Sequence, residues 1–198
     1  MKPILWVLDF DGTISHREPN KGDMEIETFQ ETKHHYMSKI VCDFFQNELK
    51  KGNKIILVTA RRRELYERIY LPFPISKAIT SFGAYIYDYV KESNPTPKPF
   101  LETQPLPTKS GYALEDNMFY RQLERDIDGN KVYEIPETLG KDKVMQKLKT
   151  EYPEYTLIAI GDDPEYDGAM KPYADICYTG RHKPDLMTYL LNNQKLRL

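Results

Sequence analysis

The chain has 198 residues, a formal net charge of −2, a hydrophobic fraction of 40%, and an aromatic share raised by 15 Tyr and 8 Phe. That composition suits one packed core with at most a modest insertion, and it excludes a disordered chain. The near-neutral charge excludes a global field for nucleic acid or an anionic membrane, and no apolar run approaches the roughly 20 residues of a membrane span. The N-terminus has no signal-peptide pattern. Cys42 and Cys177 sit far apart in apolar contexts without metal-ligand spacing. Buried free thiols in a reducing cytoplasm are the expectation.

Residues 4–8 form a continuous apolar run, the pattern of a strand buried on both faces of a parallel sheet. The run ends abruptly in Asp9-Phe10-Asp11-Gly12-Thr13. Carboxylates just past such a strand stand where open α/β sheets bind ligands. Alternation along an extended backbone sends Asp9 and Asp11 to opposite sides, so at least one lies off the core. Burying unpaired carboxylates is costly, and a hard divalent cation such as Mg²⁺ is the natural neutraliser. A Ca²⁺ loop is excluded, because Ile14 and Asn20 stand where it needs Gly and Glu. A hairpin turn at Asp11-Gly12 lacks a matching strand after Thr13, which leaves solvated acids as the plain alternative.

Residues 15–23 read as a polar surface loop, with His16 and Arg17 solvated. The spacing of Tyr36, Met37, Ile40, Val41, Phe44, Phe45 and Leu49 predicts a helix over 32–51 that Gly52 closes. His34 and His35 then lie at its start, on the surface. Residues 54–58 are a second buried strand, ending in Thr59-Ala60-Arg61, and 62–70 read as a helix. Strand, helix, strand at this spacing is a βαβ unit with parallel strands, which places Thr59 near Asp9. A threonine at a strand end is also ordinary structural usage. Of Arg61, Arg62 and Arg63, one is a candidate clamp for a second phosphate and two read as a solvated helix start.

Residues 77–81 and 84–87 read as short strands, and then the rhythm breaks in a proline-rich stretch over 94–107. Asp128-Gly129 between strand-like runs at 118–125 and 131–135 signals a hairpin. Residues 85–136 are therefore expected to form a small inserted α+β module on a core of 1–84 and 137–198. Asp142 can cap a helix to about residue 151. Residues 155–160 form a buried strand running into Gly161-Asp162-Asp163-Pro164-Glu165-Tyr166-Asp167, with Pro164 in the first turn of a following helix. A strand over 174–178 and a helix over 184–191 complete an α/β, doubly wound parallel sheet.

Three strands thus end in Asp9/Asp11, Thr59 and Asp162/Asp163/Asp167, all converging on one sheet edge. Acids gathered there call for a divalent cation and suggest a phosphate held beside it. Lys141 or Lys143, at the start of the next helix, can balance its charge, and Lys141 is preferred by its place before the helix. In that order, Asp9-Phe10-Asp11-Gly12-Thr13, Thr59, Lys141 and Gly161-Asp162-x4-Asp167 resemble the four motifs of the haloacid dehalogenase (HAD) superfamily. The resemblance covers everything but the inserted module, which falls between the second and third motifs as in the type-2 capped branch. Val132-x-Glu134-Ile135-Pro136 before Gly140-Lys141, with Gly161-Asp162-Asp163, is similar to trehalose- and sucrose-phosphate phosphatases. The module is much shorter than theirs and the fourth motif differs in detail, so their substrates do not transfer.

The resemblance implies a Rossmann-like core and a Mg²⁺-dependent phosphomonoesterase. Asp9 would be the nucleophile that forms an aspartyl-phosphate, and Asp11 the acid and base. Mg²⁺ would be held by Asp9, the backbone carbonyl of Asp11 and Asp162. Thr59 and Lys141 would hold the phosphoryl group. Asp167, and more weakly Asp163, would bind the metal through water or orient Lys141. The expected substrate is a small phosphorylated metabolite, a sugar phosphate foremost. A nucleotide or polynucleotide-end phosphatase is the second enzyme reading, against which the missing basic stripe counts. A catalytically silent phospho-ligand binding module is the reading from another class.

Overall fold

A computed structural model describes residues 2–29, 32–93, 95–101, 124–127, 130–133 and 139–197. Along the chain run β1 (Ile4–Leu8), a hairpin of β2 (Met24–Phe29) and β3 (Thr32–Met37), α1 (Lys39–Lys50) and β4 (Lys54–Val58). Then come a one-turn α2 (Arg63–Tyr66), β5 (Lys77–Thr80), β6 (Tyr85–Asp88), β7 (Lys98–Pro99) and a second hairpin of β8 (Glu124–Ile127) and β9 (Asn130–Tyr133). The last elements are α3 (Lys141–Glu151), β10 (Thr156–Gly161), β11 (Ile176–Thr179) and α4 (Leu186–Asn192).

One seven-stranded sheet, in the order β11-β10-β1-β4-β5-β6-β7, organises the chain. β1 lies inside it, third from one edge, parallel to β10 with Leu8 opposite Ile160 and parallel to β4 with Leu8 opposite Leu57. The apolar run of β1 serves two cores at once. Leu5 and Val7 face Val144, Met145 and Leu148 of α3, whereas Trp6 and Leu8 face Val41 and Phe45 of α1 and Met187 of α4. A strand covered by helices on both faces has no polar side, which is why its sequence does not alternate. Cys42 is buried and Cys177 half-buried, and both are free thiols. Among the described residues no helix is long and apolar enough to cross a membrane.

The structure departs from the sequence expectations in four places. The helix predicted over 32–51 starts only at Lys39, and the residues before it form β3, paired antiparallel with β2. Tyr36 and Met37 satisfy a period of two as well as 3.6, and their partners in Met24-Glu25-Ile26-Glu27 settle the matter by pairing. Second, the helix expected over 62–70 stops at Tyr66. The amide of Tyr70 donates to Ile26 of β2 at 2.7 Å instead of to its own helix, so tertiary pairing overrides propensity. Third, α3 is capped by Gly140 at φ 124°, with Asp142 inside the first turn, and no regular helix follows Pro164, only a 3-10 turn at Asp167–Met170. Fourth, β6 and β7, placed by sequence in the inserted module, add antiparallel to the edge of the core sheet. β8 and β9 pair with Ile127 opposite Asn130, which agrees with the hairpin read at Asp128-Gly129, itself outside the described residues, as are 102–123.

A buried acid on α1 ties the start of β1 in place. Glu48 accepts from Trp6 Nε1 at 3.1 Å, from Asn53 Nδ2 at 2.7 Å and from Lys51 Nζ at 2.6 Å. Asn53 in turn accepts from the Ile4 amide at 2.8 Å. Removing the carboxylate strands the buried Trp6 donor and the half-buried Asn53 amide, each worth up to about 1–3 kcal/mol when unsatisfied. Glu48→Ala should therefore lower the unfolding free energy in urea by about 2–4 kcal/mol. A loss under about 0.5 kcal/mol would show that water replaces it.

Candidate active site

β1 delivers Asp9 one residue past its end, where the Asp9 amide still donates to Ile160 at 2.9 Å. The chain then turns sharply: the amide of Ile14 and the hydroxyl of Ser15 both return to the Phe10 carbonyl, at 3.2 and 2.9 Å. Gly12 makes the turn possible. Its φ is +71°, and a Cβ there would stand 2.6 Å from an Asp162 oxygen. The turn brings Thr13 back under Asp9, where its hydroxyl donates to Asp9 Oδ2 at 3.2 Å and accepts from the Asp162 amide at 2.9 Å. One buried hydroxyl thereby joins the ends of β1 and β10.

Three carboxylates meet at this edge. Asp9, Asp162 and Asp167 each offer an oxygen within 4.8 Å of the others. Lys141, the first residue of α3, is buried against them, donating to Asp9 Oδ1 at 2.6 Å and also to Asp167. Asp167 is steadied from behind by the Asp163 amide at 2.9 Å, and Gly161 leaves the space, since a Cβ there would meet the Asp167 carboxyl carbon at 2.1 Å. Burial pushes the Asp9 pKa up, with Lys141 pulling the other way and Asp167 adding to the rise. Asp162 is raised by burial and by its carboxylate neighbours. Lys141 is raised too: burial opposes its charge, but Asp9 and Asp167 outweigh that. Three acids against one ammonium leave an excess of two negative charges. A divalent, oxygen-seeking cation fits both that charge and the all-oxygen donor set.

These groups line a cavity of about 710 Å³, with Phe82 and Leu139 as apolar wall and the fully buried Thr59 on the side of β4. The Thr59 hydroxyl accepts from the Arg61 amide at 3.1 Å. Two predicted residues lie apart from the trio. Asp163 turns outward, its oxygens accepting from the amides of Glu165 and Tyr166 and from Arg181 at 2.6 Å. Lys143 pairs instead with Asp142, at 3.5 Å.

Asp11 also faces away from the trio, as the alternation argument required, and is about half exposed. Arg61 grips it with two parallel bonds, Nε to Oδ2 at 2.8 Å and Nη2 to Oδ1 at 2.7 Å. His35 Nε2 lies 3.1 Å from the same Oδ1. Behind them Glu27 Oε2 meets Arg61 Nη1 at 2.8 Å and His35 Nδ1 at 2.6 Å, and the guanidinium stacks 4.5 Å over the Phe10 ring. Burial works to raise the Asp11 pKa, but the bonds from Arg61 and His35 win and hold it well below the usual carboxylate range.

His35 was expected on the surface of a helix; it is buried on β3, and only His34 is exposed. Glu27 was not expected at all. Its pattern signal is the irregular register between Glu25 and Thr28, a bulge that turns its carboxylate to the site, and bulges are not legible from spacing.

Two solved structures share this architecture. The chain superposes on Thermoplasma acidophilum 0175 with a TM-score of 0.55 at 12% identity, over 99% of this chain and 100% of that one. On BT1666 from Bacteroides thetaiotaomicron, a phosphatase of the haloalkanoate (HAD) enzyme superfamily, the TM-score is 0.52 at 12% identity, over 98% and 96%. No family model and no curated protein matches the sequence. At this identity the likeness establishes the fold, a mostly parallel α/β sheet of the HAD kind, and the chemistry rests on the residues above.

One further buried group supports the turn after Asp11. His16, expected in a solvated loop, lies between Asp185 (Nδ1 to Oδ2, 2.8 Å) and Asp23 (Nε2 to Oδ2, 2.7 Å). Asp185 also caps α4 through the Thr188 amide at 2.7 Å. Burial lowers the His16 pKa, but the bonds to Asp185 and Asp23 overcome it and the net shift is upward. A raised folded-state pKa stabilises the fold below the ordinary value of 6.5, and that contribution is lost as pH rises through the folded-state value. Urea unfolding should therefore show the gap between wild type and His16→Gln largest near about pH 6 and shrinking towards about pH 9. A gap that does not change with pH would mean a neutral imidazole.

Proposed function

We propose that this protein is a Mg²⁺-dependent phosphomonoesterase that works through an aspartyl-phosphate on Asp9. The observation that carries the reading is the buried Lys141 joined to Asp9 and Asp167 beside Asp162, a constellation expensive to bury without a catalytic purpose. Asp9, Asp162 and Asp167 are the side chains that would hold the metal, with the backbone carbonyl of Asp11. The ion would supply positive charge against the repulsion between a carboxylate and a phosphate dianion.

In this reading an oxygen of Asp9 bonds to phosphorus as the ester P–O bond breaks, and Asp11 gives the departing oxygen its proton. Asp11 then takes a proton from water, which attacks phosphorus and releases inorganic phosphate and free Asp9. Lys141 and Thr59 hold the non-bridging oxygens, and Thr13 fixes the Asp9 rotamer. The ionised Asp11 gripped by Arg61 suits the base half; the acid half requires its carboxyl to leave that grip. We further propose a small soluble substrate, a sugar phosphate foremost, and action in the cytoplasm. The core, 1–84 and 137–198 together with β6 and β7, would carry a cap. With β6 and β7 paired to the core sheet, that cap would lie beyond Leu101 and include the β8–β9 hairpin.

Phosphate release with Mg²⁺ should be measured across sugar phosphates, nucleotides and a 3′-phosphorylated oligonucleotide. Turnover is expected to disappear with chelator and to fall by at least about a thousandfold in Asp9→Asn. Activity that survives Asp9→Asn would remove Asp9 as nucleophile. No release from any substrate, with tight phosphate binding retained, would make the chain a binding module.

A further inference from the structure

β5 ends in a backbone turn that its sequence does not favour. Ser81, Phe82 and Gly83 follow one another at φ 52°, 57° and 98°. Gly83 suits that region, and a Cβ there would stand 2.7 Å from both Leu101 and Val144. A bulky residue such as Phe82 adopts it rarely and at a cost. Among the described residues the one other non-glycine residue with a positive φ is Gln194, so the strain is concentrated here. The turn joins the two segments that carry the groups read as phosphate-binding. The Ser81 amide donates to the carbonyl of Arg61, just beyond Thr59, at 2.9 Å. The Phe82 carbonyl accepts from the amide of Gly140, next to Lys141, at 2.8 Å.

Phe82 belongs to the same core cluster as Val144, and it also lines the cavity of about 710 Å³ that holds Asp9, Thr59 and Lys141. Core filling alone does not need a phenyl ring on backbone that suits Gly or Asn, and strain of this kind gathers at ligand clamps. Ala60 and Leu139 extend the apolar wall, and Tyr166, about half exposed, adds a second aromatic ring. Beyond Lys141, the cations here are engaged: Lys143 with Asp142 at 3.5 Å, and Arg181 with the cavity's Asp163 at 2.6 Å. Glu165 adds a further carboxylate to the lining. With its phosphoryl group at Asp9, an ester therefore turns its remainder to apolar and aromatic surface, and a second anion would meet carboxylates. We propose that Phe82 is a specificity-determining residue, and that the substrates are phosphate monoesters whose leaving group is an uncharged ring. The flat face of that ring, the C–H face of a pyranose or the face of an arene, packs on the phenyl ring. The inference rests on the phosphatase reading above and narrows it.

The test compares ring and open-chain esters of equal charge: glucose 6-phosphate with sorbitol 6-phosphate, and benzyl phosphate with propyl phosphate. Wild type should favour the ring member of at least one pair in kcat/KM by about 10- to 100-fold, and the pair that shows it tells a pyranose from an arene. Phe82→Asn suits the left-handed backbone without a ring, and Phe82→Leu keeps apolar bulk without a flat face; both should reduce the ratio towards one. The ratio is taken within each variant, so a general loss of activity or stability does not affect it. A wild-type ratio of one or less in both pairs, or a ratio that neither variant reduces, overturns the assignment. Glucose 1,6-bisphosphate should show no such advantage over glucose 6-phosphate, and a tenfold advantage would overturn the uncharged class.

A binding arm keeps this separate from the catalytic reading. At saturating Mg²⁺, benzylphosphonate should raise the melting temperature more than propylphosphonate in wild type and lose that advantage in both variants. An advantage retained in the variants would place the ring elsewhere and would overturn the role of Phe82. An advantage lost in them, in a protein that hydrolyses nothing, would retain the Phe82 contact and reject the phosphatase.

Discussion

Everything at the sheet edge depends on one buried ammonium. Lys141 is almost wholly withdrawn from water, and its charge is tolerable because Asp9 and Asp167 accept hydrogen bonds from it. Ion pairs of this kind seldom improve stability over an apolar packing of the same volume, and removing one partner leaves a buried charge unpaired. The surrounding structure accordingly invests in holding the group together. Thr13 joins β1 to β10, and Gly12 and Gly161 leave no room for even a methyl group beside Asp162 and Asp167. Such precision around a group with little stabilising value is what a reactive site requires.

The same turn divides the edge into two electrostatic compartments. With Gly12 at positive φ, Asp9 stays with the acidic trio and Asp11 swings to the arginine side. The trio keeps an excess of negative charge, suited to a cation. On the other side Arg61 bonds both Asp11 and Glu27. Asp11 stands at the border, and its ionised state follows from Arg61 and His35, not from the trio.

What the sequence disclosed was whatever depends on a single segment. Continuous apolar runs announced β1, β4 and β10, and the acids at their ends announced the edge, because a parallel sheet brings those ends together whatever the loops do. Of the two lysines read at the start of the helix, Lys141 bonds Asp9 at the end of β1 and Lys143 pairs with Asp142. What stayed hidden depends on pairing between segments. β3 reads as the start of a helix because Tyr36 and Met37 fit both periods, so its partner β2 stays unassigned, and with it Glu27 and the buried role of His35. Similarly, α2 is short because Ile26 captures the amide of Tyr70, an interaction across more than forty residues of chain.

Those two hidden features are physically one. Glu27 is turned to the site by a bulge in β2, and the segment after α2 pairs with that same strand through Ile26 and Ile69. The hairpin is thereby fixed to the chain that carries Arg61 and Arg68, and Arg61 closes the link by bonding Glu27 and Asp11 together. An ordinary hairpin beside a strand end would be free to drift. This one is joined to the reactive turn by ionic bonds through Arg61. The position of the hairpin and the grip on Asp11 are therefore set by a single guanidinium, stacked on Phe10 between the two compartments.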